Sequence, residues 1–282
     1  VRAVGFFTFK YGKIDWIESN NEYWLEQDAR LRTDFHVTTG EQIENIGRIK
    51  NKSAMKAYYK KAGVPTARLH KVTTFEAGRD FAHMVGYPVI VKPDNGVGAS
   101  DTYKLHNDDE LAYFYATKHP IPYVMEEFVK GQIFSYDAIL DSHSEPLFES
   151  MTAWPPSIMD IVLKNLDLAY YTAAGMPDSL RRAGRATVKA FGVRSRFVHL
   201  EFFCLAEDKE GLGRAGDFVG LEVNMRPAGG YTPDMMNYAH ATDVYKIWAD
   251  MVTYDKRLLP DSGHHCYCVY AGRRDCYQYQ HS

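Results

Sequence analysis

Polar and apolar positions alternate most clearly in LEVNMRPAGG, from Leu221 to Gly230, where Leu221, Val223 and Met225 interleave with Glu222, Asn224 and Arg226. In an extended strand every second side chain points to the same face, so the acid, the amide and the cation project together. A half-exposed edge strand shows the same alternation, and the pattern alone leaves both readings open. Upstream, FVHLEFFCL (197–205) reads as a second apolar strand carrying one isolated carboxylate, Glu201, among residues that belong in a core. A lone buried glutamate is costly unless it is paired or bound to a cation. The Gly-rich, charged stretch 206–218 joins the two runs as a hairpin loop would, which sets Glu201 and Glu222 on neighbouring strands. His199 falls on the same face as Glu201, either lining the site or packed as a core histidine.

Elsewhere the pattern alternates strands with helices, the unit of an α/β sheet. VRAVGFFTF at the start and Ile14–Ile17 read as strands, followed by a polar turn at Ser19–Asn21 and a helix. A helix capped by Asn51 or Ser53 stops at Gly63, with Pro65 just beyond; another runs from Thr73 or Thr74 to Gly86. The strands YPVIVKPDNG and TYKLH come next, then a helix from Asp108 to about Lys118 with an acid-rich start that suits the helix dipole. YVMEEFV and QIFSYDAIL read as further strands, and IMDIVLKN and SLRRAGRATVKAFG as helices. A long amphipathic helix is expected from Pro233 through Trp248.

Composition narrows the classes. The chain has 282 residues, 45% hydrophobic and 24% charged, enough for two or three globular subdomains. A net charge of -3 exerts no general pull on nucleic acid, and no stretch is long and apolar enough for a bilayer. No secretory signal is visible, and four sparse cysteines suggest reduced thiols and a cytoplasmic setting. His264, His265, Cys266 and Cys268 lie close together but lack zinc spacing, so a strand with alternate thiols is the expectation there. The chain begins at Val1 rather than Met, which raises the expectation of a fragment lacking part of an N-terminal α/β domain.

Two carboxylates and an amide oxygen at Glu201, Glu222 and Asn224 form a hard-oxygen set suited to Mg²⁺, which leaves coordination positions for phosphate oxygens. A phosphate-binding element is therefore sought. In VKPDNGVGAS, Lys92 ends a strand and Gly96 and Gly98 follow in a small polar loop whose backbone could approach an anion; a hairpin turn that merely needs glycine would look the same. Neither the phosphate-loop nor the dinucleotide pattern is present, and a strand follows where a dehydrogenase needs a helix.

Taken together and in this order, these parts resemble the ATP-grasp superfamily, in its carboxylate-amine ligase and carbamoyl-phosphate synthase-like branch, from about Asn51 to Val252. The resemblance implies an α/β (α+β) ATP-grasp fold in which two α+β subdomains clamp ATP. It would comprise a partial N-terminal Rossmann-like segment (1–48), an ATP-grasp domain (49–252) with a small lid (about 70–129), and a C-terminal tail (253–282). Lys52, in NKSAMKAYYKKAGVP, and Lys92, in VIVKPDNGVGAS, match the two lysines that contact ATP phosphates, with Gly96, Gly98 and Ser100 in the closing loop. In EEFV, Glu126 would read the adenine amino group, Glu127, Phe128 and Val129 completing the hinge. Glu201, Glu222 and Asn224 would hold two Mg²⁺ ions, Mn²⁺ being an alternative, and Arg226 would join Lys92 in catalysis. One position departs from the family: Ile133 stands where an acid normally binds the ribose, leaving Gln132 or Glu127 to replace it, or the alignment shifted by one.

The resemblance implies an ADP-forming ligase that activates a carboxylate as an acylphosphate and joins it to an amine. The expected partners are small-molecule carboxylate and amine substrates, with no nucleic acid or membrane, and a homodimer is compatible with the family. A catalytically silent nucleotide-binding regulatory or scaffold protein is the alternative, favoured by Ile133 and by the expected incompleteness of the N-terminal domain, which in the family helps form the acceptor pocket.

Overall fold

The computed structural model describes residues 1–96, 101–155 and 165–278. Its helices are α1 (Arg2–Tyr11), α2 (Leu25–Asp34), α3 (Gly47–Lys50), α4 (Lys52–Ala62), α5 (Phe75–Val85), α6 (Asp108–Thr117), α7 (Asp178–Phe191), α8 (Thr232–His240) and α9 (Val244–Tyr254). Local chemistry sets several of their ends. The side chains of Thr74 and Asn107 accept from the backbone N–H groups of Ala77 and Glu110 and so cap α5 and α6. Gly63 ends α4 in the left-handed region, φ 69°, where a side chain would be strained. The start of α4 is held from outside, because the Asp94 carboxylate accepts from both the backbone N–H and the hydroxyl of Ser53.

Strands β1 (Leu69–Lys71), β2 (Val89–Pro93), β3 (Tyr103–Leu105) and β4 (Tyr123–Glu127) form a small antiparallel sheet in the order β1-β4-β2-β3. Strands β5 (Gly131–Leu140), β6 (Pro146–Ser150), β7 (Thr152–Trp154), β8 (Leu168–Thr172), β9 (Arg196–Leu205), β10 (Phe218–Asn224) and β11 (Cys268–Gly272) form a larger one, ordered β10-β9-β5-β7-β8-β11 with β6 also on β5. Alternate residues of β2 and β4, Val89, Val91, Tyr123 and Met125, pack with Phe81 of α5 and Leu111 and Phe114 of α6. The other face of the small sheet is left to Lys92 and Glu126. In the large sheet, Tyr136, Leu200, Phe202 and Val223 face back onto Met55 and Tyr59 of α4 and Leu180, Val188 and Phe191 of α7. On the front face, Ile139, Phe148 and Phe197 meet Met236, Val244, Ile247 and Met251 of α8 and α9. The rest of that front face, toward the Glu201 end, carries the polar residues.

Several expectations are corrected, and one lies outside the described residues. VRAVGFFTF is not a strand but part of α1, and residues 14–17 are irregular, so 1–50 hold helices and no strand where a partial Rossmann-like segment was expected. With its first nine residues mostly exposed and no sheet edge to pair with, the segment satisfies its backbone groups internally, as a helix does. Strands β6, β7 and β8 were not foreseen, being short. The long helix at Pro233 is two, α8 and α9, because Ala241 adopts a left-handed φ of 42° and Asn237 and Asp243 cap the second through Val244 and Lys246. The IMDIVLKN helix falls almost wholly outside the described residues.

The back-face packing is tight at Gly184 of α7, where a Cβ would lie 2.3 Å from the buried Tyr136 ring. That ring cannot swing away freely because its hydroxyl donates to Glu149 at 2.8 Å. Gly184→Ala is expected to destabilise the fold by about 1–3 kcal/mol in chemical denaturation, outweighing the gain in helix propensity.

Candidate active site

Backbone pairing alone brings the two isolated carboxylates together. In the antiparallel pairing of β9 with β10, Glu201 stands opposite Glu222 and His199 opposite Asn224. The pairing shifts by one residue between Gly220 and Glu222, a bulge that turns Glu222 and Asn224 to the front face while Gly220 stays opposite Phe202. Across β5, Ser135 stands opposite Glu201 and Asp137 opposite His199. The result is two rows on one face, Ser135–Glu201–Glu222 and Asp137–His199–Asn224. Arg226, just past β10, donates to Asn224 Oδ1 at 3.4 Å and lies 3.4 Å from Glu22 Oε2.

Cations surround this patch. Lys52, buried at the start of α4, places Nζ 3.1 Å from Glu222 Oε1 and 3.4 Å from the Gly96 carbonyl. Lys92 reaches Glu126 at 2.7 Å, and Lys56, one turn along α4 from Lys52, reaches the other Glu126 oxygen at 2.6 Å. Burial alone would raise the Glu126 carboxyl, but Lys92 and Lys56 outweigh it and hold it at about 2. Burial likewise opposes the charge on Lys92, yet Glu126, Glu222 and Glu201 keep its pKa above the ordinary lysine value. Lys56 goes the other way, because burial exceeds what Glu126 returns. Glu201 is pushed up by burial and pulled further down by His199, Arg226 and Lys92, so it is a carboxylate. His199 is opposed by burial and held charged by Asp137 and Glu201, its pKa rising to about 9.

The expected site residues fall into three groups. Lys52, Gly96, Glu201, Glu222, Asn224 and Arg226 are joined by contacts and strand register, and the Lys92–Glu126 pair lies close enough for Glu222 and Glu201 to act on the Lys92 charge. Glu127 is turned elsewhere: it accepts from the Arg68 backbone N–H and guanidinium and lies 3.5 Å from Lys209. Gln132 pairs with Cys204 and so occupies the back-face phase of β5, whereas Ile133, opposite Phe203, shares the front-face phase of Ser135. Phe128 has its carbonyl taken by Lys209 at 2.7 Å and Lys104 over its ring, and Val129 is buried. Gly98 and Ser100 lie outside the described residues.

Sequence reasoning missed Lys56, Glu22 and Asp137. The first is visible only as the residue one turn after Lys52; the other two come from distant segments and have no local signal. Among the described residues no group of three or more His, Cys, Asp or Glu gathers as a metal cluster, and His264, Cys266 and Cys268 do not converge. Two acidic side chains facing each other with Asn224 beside them do fit a hard, oxygen-seeking cation, since the acids share a face and the amide adds a neutral oxygen.

Comparison with known proteins bears on the fold. Residues 51–134 match the family model described as the carbamoyl-phosphate synthase L chain, ATP binding domain. The biotin carboxylase domain of Hydrogenobacter thermophilus 2-oxoglutarate carboxylase, solved with MgADP, ADP and bicarbonate, superposes with a TM-score of 0.72 at 18% identity. That match covers 95% of this chain and 60% of the other. The chain has the ATP-grasp fold. Two further ATP-grasp relatives are amino-acid ligases. An L-amino acid ligase from Bacillus licheniformis superposes with a TM-score of 0.67 at 16% identity, covering 93% of this chain and 60% of that one. The L-arginine-specific L-amino acid ligase of Bacillus subtilis is 25% identical over 231 residues, 78% of this chain and 53% of that protein. The chain thus spans about half the length of this curated relative. Among the described residues no helix is long and apolar enough to cross a membrane.

The Lys56–Glu126–Lys92 cluster yields a pH-dependent expectation. Because the folded Glu126 value is about 2 against an ordinary 4.5, its stabilising contribution is complete above about 4.5 and disappears as pH falls toward 2. Glu126→Gln is expected to cost on the order of 3 kcal/mol near neutrality. Denaturant midpoints of the two proteins should converge as the pH falls below about 4.5.

Proposed function

We propose that this chain is the nucleotide-binding and catalytic body of an ADP-forming ligase that joins a carboxylate to an amine, using ATP and Mg²⁺. The observation that carries the reading is the pairing of Glu201 with Glu222 across β9 and β10 next to two buried lysines, Lys52 and Lys92. Carboxylates and cations so close in one cleft suit a polyphosphate and its metal together, since each sign in the protein meets the opposite sign in the ligand.

Glu201, Glu222 and Asn224 would hold the metal, Mg²⁺ or in its place Mn²⁺. Bound there, it would neutralise phosphate charge and leave phosphorus open to attack. Lys52 and Lys92 would exchange their present carboxylate partners for phosphate oxygens and hold the terminal phosphoryl in line. A carboxylate oxygen of the acid substrate then attacks that phosphorus, the bond to the ADP oxygen breaks, and an acylphosphate forms. The amine nitrogen next attacks the acyl carbon, inorganic phosphate leaves, and the nitrogen loses a proton. Arg226 is suited to steady the acid substrate, as a guanidinium binds two carboxylate oxygens at once. Carbon–nitrogen ligation is favoured by the L-amino acid ligases among the relatives and by the D-alanine–D-alanine ligase of Bacillus anthracis, similar in fold at a TM-score of 0.62 and 16% identity.

Ile133 supports a second reading, a nucleotide-binding protein without turnover, because an apolar side chain on the front face cannot bond ribose hydroxyls. Titration of ATP with Mg²⁺, followed by a phosphate-release screen over carboxylic acids paired with amino acids, separates the two. The ligase reading expects binding, ADP and amide product with at least one pair, and a loss of at least about 100-fold in turnover for Glu222→Ala and Lys92→Met. Binding without turnover for any pair would favour the silent protein, and no ATP binding would overturn both.

A further inference from the structure

Behind the two facing glutamates lies a buried chain of polar groups that the proposed chemistry does not use. His199 is 4% exposed and Asp137 and Ser135 are fully buried. Asp137 Oδ1 sits 2.7 Å from His199 Nδ1, and His199 Nε2 sits 3.2 Å from Glu201 Oε1. The other Asp137 oxygen accepts from the Ser135 hydroxyl, and the edge of Trp154 meets the imidazole with ring centroids 5.4 Å apart.

Each ring nitrogen is thus engaged by one acid, Nδ1 by Asp137 and Nε2 by Glu201. With both nitrogens engaged and the ring enclosed, His199 has no free atom for a substrate. What it can do is fix the Glu201 side chain. Glu201 has three rotatable bonds, and its partner across the strand, Glu222, is already tied by Lys52. The row Asp137–His199 is the matching restraint on the Glu201 side, built from the same cross-strand register.

We propose that His199, anchored by Asp137, is a positioning residue that holds the Glu201 carboxylate in place for the cation. This rests on the reading of Glu201 and Glu222 as the metal-holding pair. A group that orients a ligand through a second hydrogen bond typically changes metal affinity about 10–100-fold when removed. Its loss should weaken the metal and leave nucleotide contacts made by Lys52 and Lys92 intact.

The test uses the whole chain with ADP and Mn²⁺ as a paramagnetic probe, free Mn²⁺ being counted by electron paramagnetic resonance. Asp137→Leu is close in size and leaves every proposed ligand in place, but it removes the hydrogen-bond partner of Nδ1 that anchors the ring toward Glu201. His199→Gln is the second variant, and it cannot bridge both acids. Thermal melting and metal-free ADP titration accompany each. The expected result is a roughly 10–100-fold rise in the Mn²⁺ dissociation constant for a folded variant, with the metal-free ADP constant within about twofold of wild type. In turnover, added Mg²⁺ should restore kcat, so that the defect lies in the metal requirement. Wild-type Mn²⁺ affinity in either folded variant, while Glu222→Ala loses it, overturns the positioning role and leaves the metal pair standing. Failure of the wild type to bind Mn²⁺ with ADP overturns the metal pair itself. If both variants fail to melt cooperatively, the chain is a folding element and the positioning role is rejected.

Discussion

A one-residue irregularity in strand pairing carries the candidate site. Without the shift between Gly220 and Glu222, strict alternation from Gly220 would keep Glu222 in the phase of Gly220, on the back face with Phe202. Two constraints meet at that point. Gly220 is pressed against the Tyr59 ring, where a Cβ would lie 2.4 Å away, so the back face admits only glycine. Two residues later the chain must instead present a carboxylate to the front. A bulge satisfies both at once, and it makes the position of Glu222 a property of the backbone, fixed before any ligand arrives.

Charge balance then decides how the cleft can stay folded without a ligand. Buried carboxylates and ammonium groups are costly alone and tolerable in pairs. Lys52 answers Glu222, while Lys92 and Lys56 share Glu126. The same logic holds farther out, where the buried Glu18 lies between Arg32 and Arg196 and ties the N-terminal segment to the start of β9. Arg196 also donates to the Met225 carbonyl at 2.6 Å, which anchors the backbone beside Arg226.

How much of this the sequence disclosed depends on range. The apolar run 197–205 and the alternation from Leu221, with a Gly-rich loop between, were enough to place Glu201 and Glu222 on neighbouring strands, because a hairpin is a local object, but their pairing depends on a bulge that no pattern announces. Cap residues such as Thr74 and stops such as Gly63 and Gly86 were legible for the same reason. What was lost is long-range or context-bound. VRAVGFFTF has the aromatic and β-branched composition of a strand, yet nothing pairs with it, and propensity yields to the need to satisfy the backbone. Asp137 and His199 are 62 positions apart and meet only because β5 lies beside β9, a register that no local pattern encodes.

Lys56, invisible as a motif, explains a difficulty in the proposed chemistry. If Lys92 turned from Glu126 to a phosphate, Glu126 would be left buried at 5% exposure with an uncompensated charge. Lys56 removes that penalty, since it already holds the other Glu126 oxygen. The two lysines differ in the right sense. Lys92 lies in the combined field of Glu126, Glu222 and Glu201, so its charge is secure wherever it swings among them, whereas Lys56 has Glu126 as its principal counterion and burial working against it. Lys92 thus has carboxylates on more than one side, whereas Lys56 has chiefly Glu126. With a lysine on each oxygen, Glu126 would keep one buried counterion if the other turned to a phosphate, as the proposed chemistry requires of Lys92.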